Sequence, residues 1–119
     1  MKRDMDLVRK ILLAAEASPH GLVRESISID GYSPEQVGYH IYLMMQADLV
    51  DGSDVTTRGS QSPQAVLTQL TWAGHEFIDA ARSPAVWEQS KGVIGKLGDV
   101  SFAVWTQVLT KITMANLGL

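Results

Sequence analysis

Ser33-Pro34-Glu35-Gln36 opens, and Ala47-Asp48-Leu49-Val50-Asp51-Gly52 closes, the stretch on which the fold turns. The opening puts a serine at an N-cap, a proline at the first helical position and a capping-box glutamine three residues on. Inside it, Val37, Ile41 and Met44 recur at the spacing of one helical face, which predicts a helix over 34–48 with Glu35, Tyr39, Tyr42 and Gln46 on the opposite side. A polar tract of small residues follows from Gly52 to Gln64, then the apolar run Ala65 to Leu70, then a second helix start at Thr71-Trp72-Ala73-Gly74-His75-Glu76. Leu49-Val50 and Ala65-Val66-Leu67 are the expected flanks of a β-hairpin, with Asp54 to Gln64 as its tip. Helix, hairpin and helix in that order is how a winged helix-turn-helix domain passes from its recognition helix into its wing. The expectation is therefore an α+β, winged helix-turn-helix-like domain over 1–82, with two additional C-terminal helices over 83–119 packed on it as part of the same single domain.

Upstream, Met5, Val8, Leu12 and Ala15, widened by Leu7, Ile11 and Ala14, predict a helix over 4–17, ended by Ser18-Pro19-His20-Gly21. Ile27-Ser28-Ile29 alternates as a strand does, and Asp30-Gly31-Tyr32 reads as a turn. Downstream, Trp72 to Arg82 packs Gly74, Phe77, Ile78 and Ala81 inward and leaves His75, Glu76, Asp79 and Arg82 outside. Ser83-Pro84 restarts the chain into a helix with Val86, Ser90, Val93, Ile94 and Leu97 on one side and Trp87 beside them. The last helix, Ser101 to Asn116, carries Phe102, Val104, Trp105, Val108, Leu109, Ile112 and Ala115 on a wide apolar side.

At 119 residues the chain is expected to be one domain that buries about two-thirds of its unfolded surface and needs no staple. Cysteine is absent, which excludes disulfides and thiolate metal or redox sites and suits a reducing compartment. Met1 to Met5 carries Lys2, Arg3 and Asp4 and leads into an amphipathic helix, so no signal peptide is read there, and no run reaches the ~18 residues of a membrane span. A soluble, cytoplasmic protein is expected. The net charge of −3 is unevenly spread: residues 34–82 hold two basic against six acidic side chains. Phosphate neutralisation supplies most of the affinity of nucleic-acid binders, so this balance argues against strong general DNA binding while leaving room for a narrow one.

No glycine-rich phosphate loop, paired-histidine metal motif, nucleophile elbow or basic-aromatic RNA-binding string occurs, so no catalytic residue, cofactor or metal is expected and the chain does not read as an enzyme. His75 and Asp79, four apart, have no third partner at a telling distance and read as a surface pair rather than a metal or acid–base site. His40, at the edge of a buried face, reads as a hydrogen-bonded packing histidine. The binding candidates are Gln36 and Gln46 as base readers, Tyr39 and Tyr42 as phosphate donors or protein contacts, Arg58 in the wing, and Arg24, with Lys2 and Arg3 assisting. Phe102, Trp105, Leu109 and Ile112 exceed what a terminal helix needs for its own core and are expected to form a homodimer interface.

Met1-Lys2-Arg3-Asp4-Met5-Asp6-Leu7-Val8-Arg9, Asp30-Gly31-Tyr32-Ser33, Tyr39-His40 with Leu43, the string Leu70-Thr71-Trp72-Ala73-Gly74-His75-Glu76-Phe77-Ile78-Asp79-Ala80-Ala81-Arg82, and Val86-Trp87 together resemble the DUF2513 family of small bacterial and phage-borne proteins. The resemblance runs from residue 1 to about 110. It implies a winged-helix-like fold and a frequent prophage setting, and supplies no reaction, cofactor or catalytic residue. Asp48 stands where the family's helix usually ends in glycine. The function expected is a DNA-binding or regulatory accessory protein of phage or prophage type acting on double-stranded DNA. The alternative is a protein–protein interaction module whose acidic, tyrosine-bearing face binds a host or phage protein.

Overall fold

The computed structural model describes residues 1–118. The order of elements is α1 (Met5–Glu16), α2 (Pro34–Gln46), β1 (Val50–Asp54), β2 (Ala65–Leu70), α3 (Trp72–Ala81), α4 (Pro84–Ile94) and α5 (Phe102–Asn116). Among the described residues this is an α+β chain of five helices and one two-stranded antiparallel sheet. The chain falls into two compact units that meet within α3, one covering Met1–His75 and the other beginning at Glu76.

In the first unit, α1 begins where Asp4 accepts the Leu7 N–H, and it buries Leu7, Val8, Ile11, Leu12 and Ala15. Helix α2 begins on the full capping box: the Ser33 hydroxyl accepts the Gln36 N–H and the Gln36 side chain accepts the Ser33 N–H. Its buried face is Val37, Gly38, His40, Ile41 and Met44. The helix stops at Gln46, two residues short of the sequence expectation, because Asp48 turns left-handed at φ 59°. Thr71 then ties that corner, its hydroxyl donating to the Asp48 carbonyl at 2.5 Å and its N–H to Leu49 O at 3.1 Å.

The hairpin pairs Val50 with Leu70, Asp51 with Gln69, Gly52 with Leu67, Ser53 with Val66 and Asp54 with Ala65. The register shift between Asp51 and Gly52 leaves Thr68 as the extra residue of a bulge. Gly52 sits so close to the partner strand that a Cβ there would meet the Val66 carbonyl, and a Cβ on Gly74 would meet the Leu49 carbonyl. Leu49, Val50, Ala65 and Leu67 are the hairpin's contribution to the buried core.

The strand expected at Ile27–Ile29 does not form. Ile27 and Ile29 are half-buried with Ser28 exposed between them, as alternation demands, yet the backbone forms no ladder. The segment meets the free edge of β2 through the Val23 N–H, which donates to Thr68 O at 2.8 Å, at the bulge. A strand is defined by its partner's hydrogen bonds, and side-chain alternation alone does not supply them.

The second unit is held by aromatic packing. Phe77 lies 4.5 Å from Phe102 and edge-on to Trp87 at 6.3 Å, and Trp87 stacks on Trp105 at 4.8 Å. Helix α4 starts at the Ser83 cap with Pro84 in its first turn and buries Val86, Trp87, Ser90 and Ile94. Val93 and Leu97, expected on the same side, are 45% and 63% exposed. At 100° per residue the buried positions span an arc of about 100°, and Val93 falls just outside it; Leu97 lies beyond the helix end. In α5 the hydroxyls of Thr106, Thr110 and Thr113 each donate to the carbonyl four residues back, which satisfies them inside a largely apolar helix.

Candidate functional site

In the first unit, α2, the hairpin tip and the loop before α2 make the candidate docking surface. The tip is ordered by its own polar side chains. Asp54 Oδ1 accepts the Thr56 N–H at 2.9 Å, the Thr57 N–H donates to Ser60 Oγ at 3.1 Å, and the Ser60 N–H returns to Thr57 O at 3.0 Å. The Thr56 hydroxyl and then its N–H lower the Asp54 pKa from the ordinary carboxylate value, since both stabilise the charged form. Arg58 sits exposed at the apex of this turn.

The base of the tip is pinned to the start of α2. Ser62 Oγ donates to Glu35 Oε1 at 3.1 Å, and the Gln64 amide donates to Glu35 O at 3.1 Å and to Ser62 Oγ at 3.0 Å. The Gln64 amide packs against Gly38, where a Cβ would displace it. The base of the hairpin tip is thus joined to the start of α2, with Arg58 on the turn beyond those bonds.

On α2, Glu35 and Gln46 are exposed while Tyr39 and Tyr42 are half-buried. Gln36 spends its side-chain oxygen on the cap, which leaves its amide nitrogen as the group it has to offer. No lysine or arginine lies on the helix. Arg24, exposed, stands on the lip of a groove of about 460 Å³ lined by Val23, Ile27, Val37, Ile41 and Val66. Lys2 and Arg3 are exposed at the N-terminus.

Behind this surface lies a partly buried polar network. His40 is 1% exposed. Its Nε2 accepts the Asp4 N–H at 2.8 Å and its Nδ1 lies 2.8 Å from Gln36 O. A backbone N–H only donates, so Nε2 carries no proton, and the hydrogen is on Nδ1, donating to the carbonyl. The Asp4 carboxylate accepts the Leu7 N–H at 3.2 Å and the Tyr32 hydroxyl at 3.1 Å, and Lys10 lies over the Tyr32 ring at 5.5 Å. Tyr39 presents its ring edge-on to His40 at 5.8 Å. The reading of His40 as a hydrogen-bonded packing histidine holds.

The other sequence candidates separate. His75 is exposed, and Asp79 pairs with Arg82 at 2.8 Å as one turn of helix allows. No group of three metal-ligating side chains occurs among the described residues. Of the four residues expected at a dimer interface, Trp105 and Leu109 are buried within the chain at 5% and 0% exposure, so they have no area left for a second copy, whereas Phe102 and Ile112 are half-buried. Sequence reasoning passed over Trp72, which is 80% exposed. The signal was available, because one helical step places it with the outward positions His75, Glu76 and Asp79 and away from Gly74 and Phe77.

The family model described as "Hypothetical protein (DUF2513)" matches residues 2–100. The chain is also similar to an uncharacterized protein of Haemophilus influenzae (strain ATCC 51907 / DSM 11121 / KW20 / Rd), with 37% identity over 116 residues that cover 94% of this chain and 95% of the relative. No solved structure matches the chain. No helix among the described residues is long and apolar enough to cross a membrane.

Proposed function

The chain belongs to the DUF2513 family, and we propose that its first unit is a winged helix-turn-helix-like module that docks on double-stranded DNA as a regulatory accessory protein and carries out no chemistry of its own. The observation that carries this reading is the pinning of the base of the hairpin tip to the start of α2 through Glu35, Ser62 and Gln64, which joins the turn bearing Arg58 to the helix. In this reading α2 offers Gln46, the Gln36 amide nitrogen and the Tyr39 and Tyr42 hydroxyls, while Arg58 and Arg24 meet phosphates or a narrow minor groove.

With so few cations the docking is weak and salt-limited. Two or three phosphate contacts imply a slope of log affinity on log salt of about −2 to −3. Fluorescence anisotropy with a duplex from the region upstream of the protein's own coding sequence tests this. Binding at low salt is expected, with the slope shallower by about 1 in Arg58→Ala and in Arg24→Ala. If both variants bind as the parent does, this surface is not the DNA contact.

Two observations favour a second reading, in which the same unit docks on a protein. Trp72 is 80% exposed, and residues 34–75 carry four acidic side chains against one basic. Exposed tryptophan is a common anchor of protein interfaces, where it is buried on binding. Trp72→Ala separates the two, since it leaves duplex binding untouched on the first reading and removes partner capture on the second.

A further inference from the structure

We infer that His40 is a proton-operated latch between the N-terminal segment and α2: uptake of a proton at Nε2 breaks its bond to Asp4 and loosens the start of α1. The inference stands on the geometry of a buried imidazole and does not depend on what the protein docks with. His40 is almost wholly buried, both ring nitrogens are bonded at 2.8 Å, and one of the two partners is a backbone N–H. Only the neutral Nδ1–H ring fits. A protonated ring is a donor at both nitrogens, so its Nε2–H faces the Asp4 N–H, donor against donor, at a contact that is partly buried.

The charged and titratable groups around the ring come from three places. The N-terminal segment supplies Asp4; the turn before α2 supplies Tyr32, with Lys10 of α1 above its ring; α2 itself supplies Tyr39. The hairpin meets the start of α2 through the neutral amide of Gln64 and through the Ser62 hydroxyl, which donates to the Glu35 carboxylate. Asp4 is the group that attracts an imidazolium, but its two oxygens already accept from Leu7 N–H and the Tyr32 hydroxyl. Swinging either one to the ring gives up the α1 cap or the tie to the turn. Both routes dismantle the same latch, so acid favours the open form.

The effect is read in the full chain by nitrogen-detected imidazole NMR and by amide exchange at Leu7 and Val8. The Nδ1–H tautomer is expected for His40 near neutral pH. As pH is lowered from about 7.5 to 5.5, opening at Leu7 and Val8 should rise about tenfold, the worth of one lost hydrogen bond, after correction for intrinsic rates. In His40→Gln, where the side chain does not titrate, it should stay flat. His20 and His75 remain in that variant, so the difference reports on His40. An Nε2–H tautomer or an imidazolium at pH 7.5, or an equal response in His40→Gln, overturns the latch. If His40→Gln does not fold, the variant carrying His20→Gln and His75→Gln keeps His40 as the sole imidazole, and a flat response there overturns it equally.

Discussion

Asp48 holds a left-handed backbone at φ 59° with no glycine to ease it, between the end of α2 and the first strand. That conformation costs a residue with a Cβ roughly 1 kcal/mol. Asp48→Gly is therefore expected to raise the urea midpoint only slightly and leave the slope unchanged, a gain of at most about 0.5 kcal/mol once the roughly 0.5–1 kcal/mol of entropy that glycine loses on folding is set against the relieved strain. Gly74 is the opposite case. A methyl there meets the Leu49 carbonyl, part of the backbone and unable to swing aside. Gly74→Ala should destabilise by about 1–3 kcal/mol in the same titration, the range for overpacking a tight contact. Asp54 gives a pH signature at the tip. Its carboxyl titrates below the ordinary value in the folded chain, so its bond to Thr56 is fully present above the unfolded pKa of 3.8 and is lost as pH falls through the folded one. The Thr56 amide resonance should shift in that acid range and stay constant above it.

At the scale of the element, α2 and its cap show why some of the fold is legible in the sequence. A capping box is local: Ser33, Pro34 and Gln36 carry everything needed to start the helix, and Val37, Ile41 and Met44 are buried where a 100° step puts them. Ser33→Ala should cost about 1 kcal/mol in chemical denaturation, the usual worth of an N-cap. The hairpin was legible for the same reason, a polar tract of turn residues between two apolar runs. The strand at Ile27–Ile29 was not, because a strand also needs a partner edge, and β2 offers the segment its bond at Thr68, a bulge that no periodicity announces. Burial on α4 failed at Val93 for a related reason. Period places a residue on an arc, but how far cover reaches around that arc depends on what lies opposite. Of the candidate site, Arg24, Arg58 and Gln46 were readable as exposed polar groups, whereas the commitment of Gln36 to its own cap and the exposure of Trp72 appear only once the elements have ends and faces.

For the molecule as a whole, the two units invite separate tests. The second rests on a short aromatic cluster, Phe77, Trp87, Phe102 and Trp105. Trp105→Ala removes the face on which Trp87 stacks and should cost about 3–5 kcal/mol, seen as a loss of near-ultraviolet circular dichroism. The first unit carries the proposed docking surface, and its character follows from its charge: with Arg24 and Arg58 as its exposed arginines at that surface and an acidic balance around them, the unit suits a weak and selective contact better than a general one. Amide chemical-shift mapping of the full chain with duplex DNA at low salt tests that claim most directly. Shifts are expected to gather on residues 39–46 of α2, on 56–60 around Arg58 and beside Arg24, and to fade together as salt rises. Shifts that gather instead around Trp72, or an unchanged spectrum at saturating duplex, would contradict it.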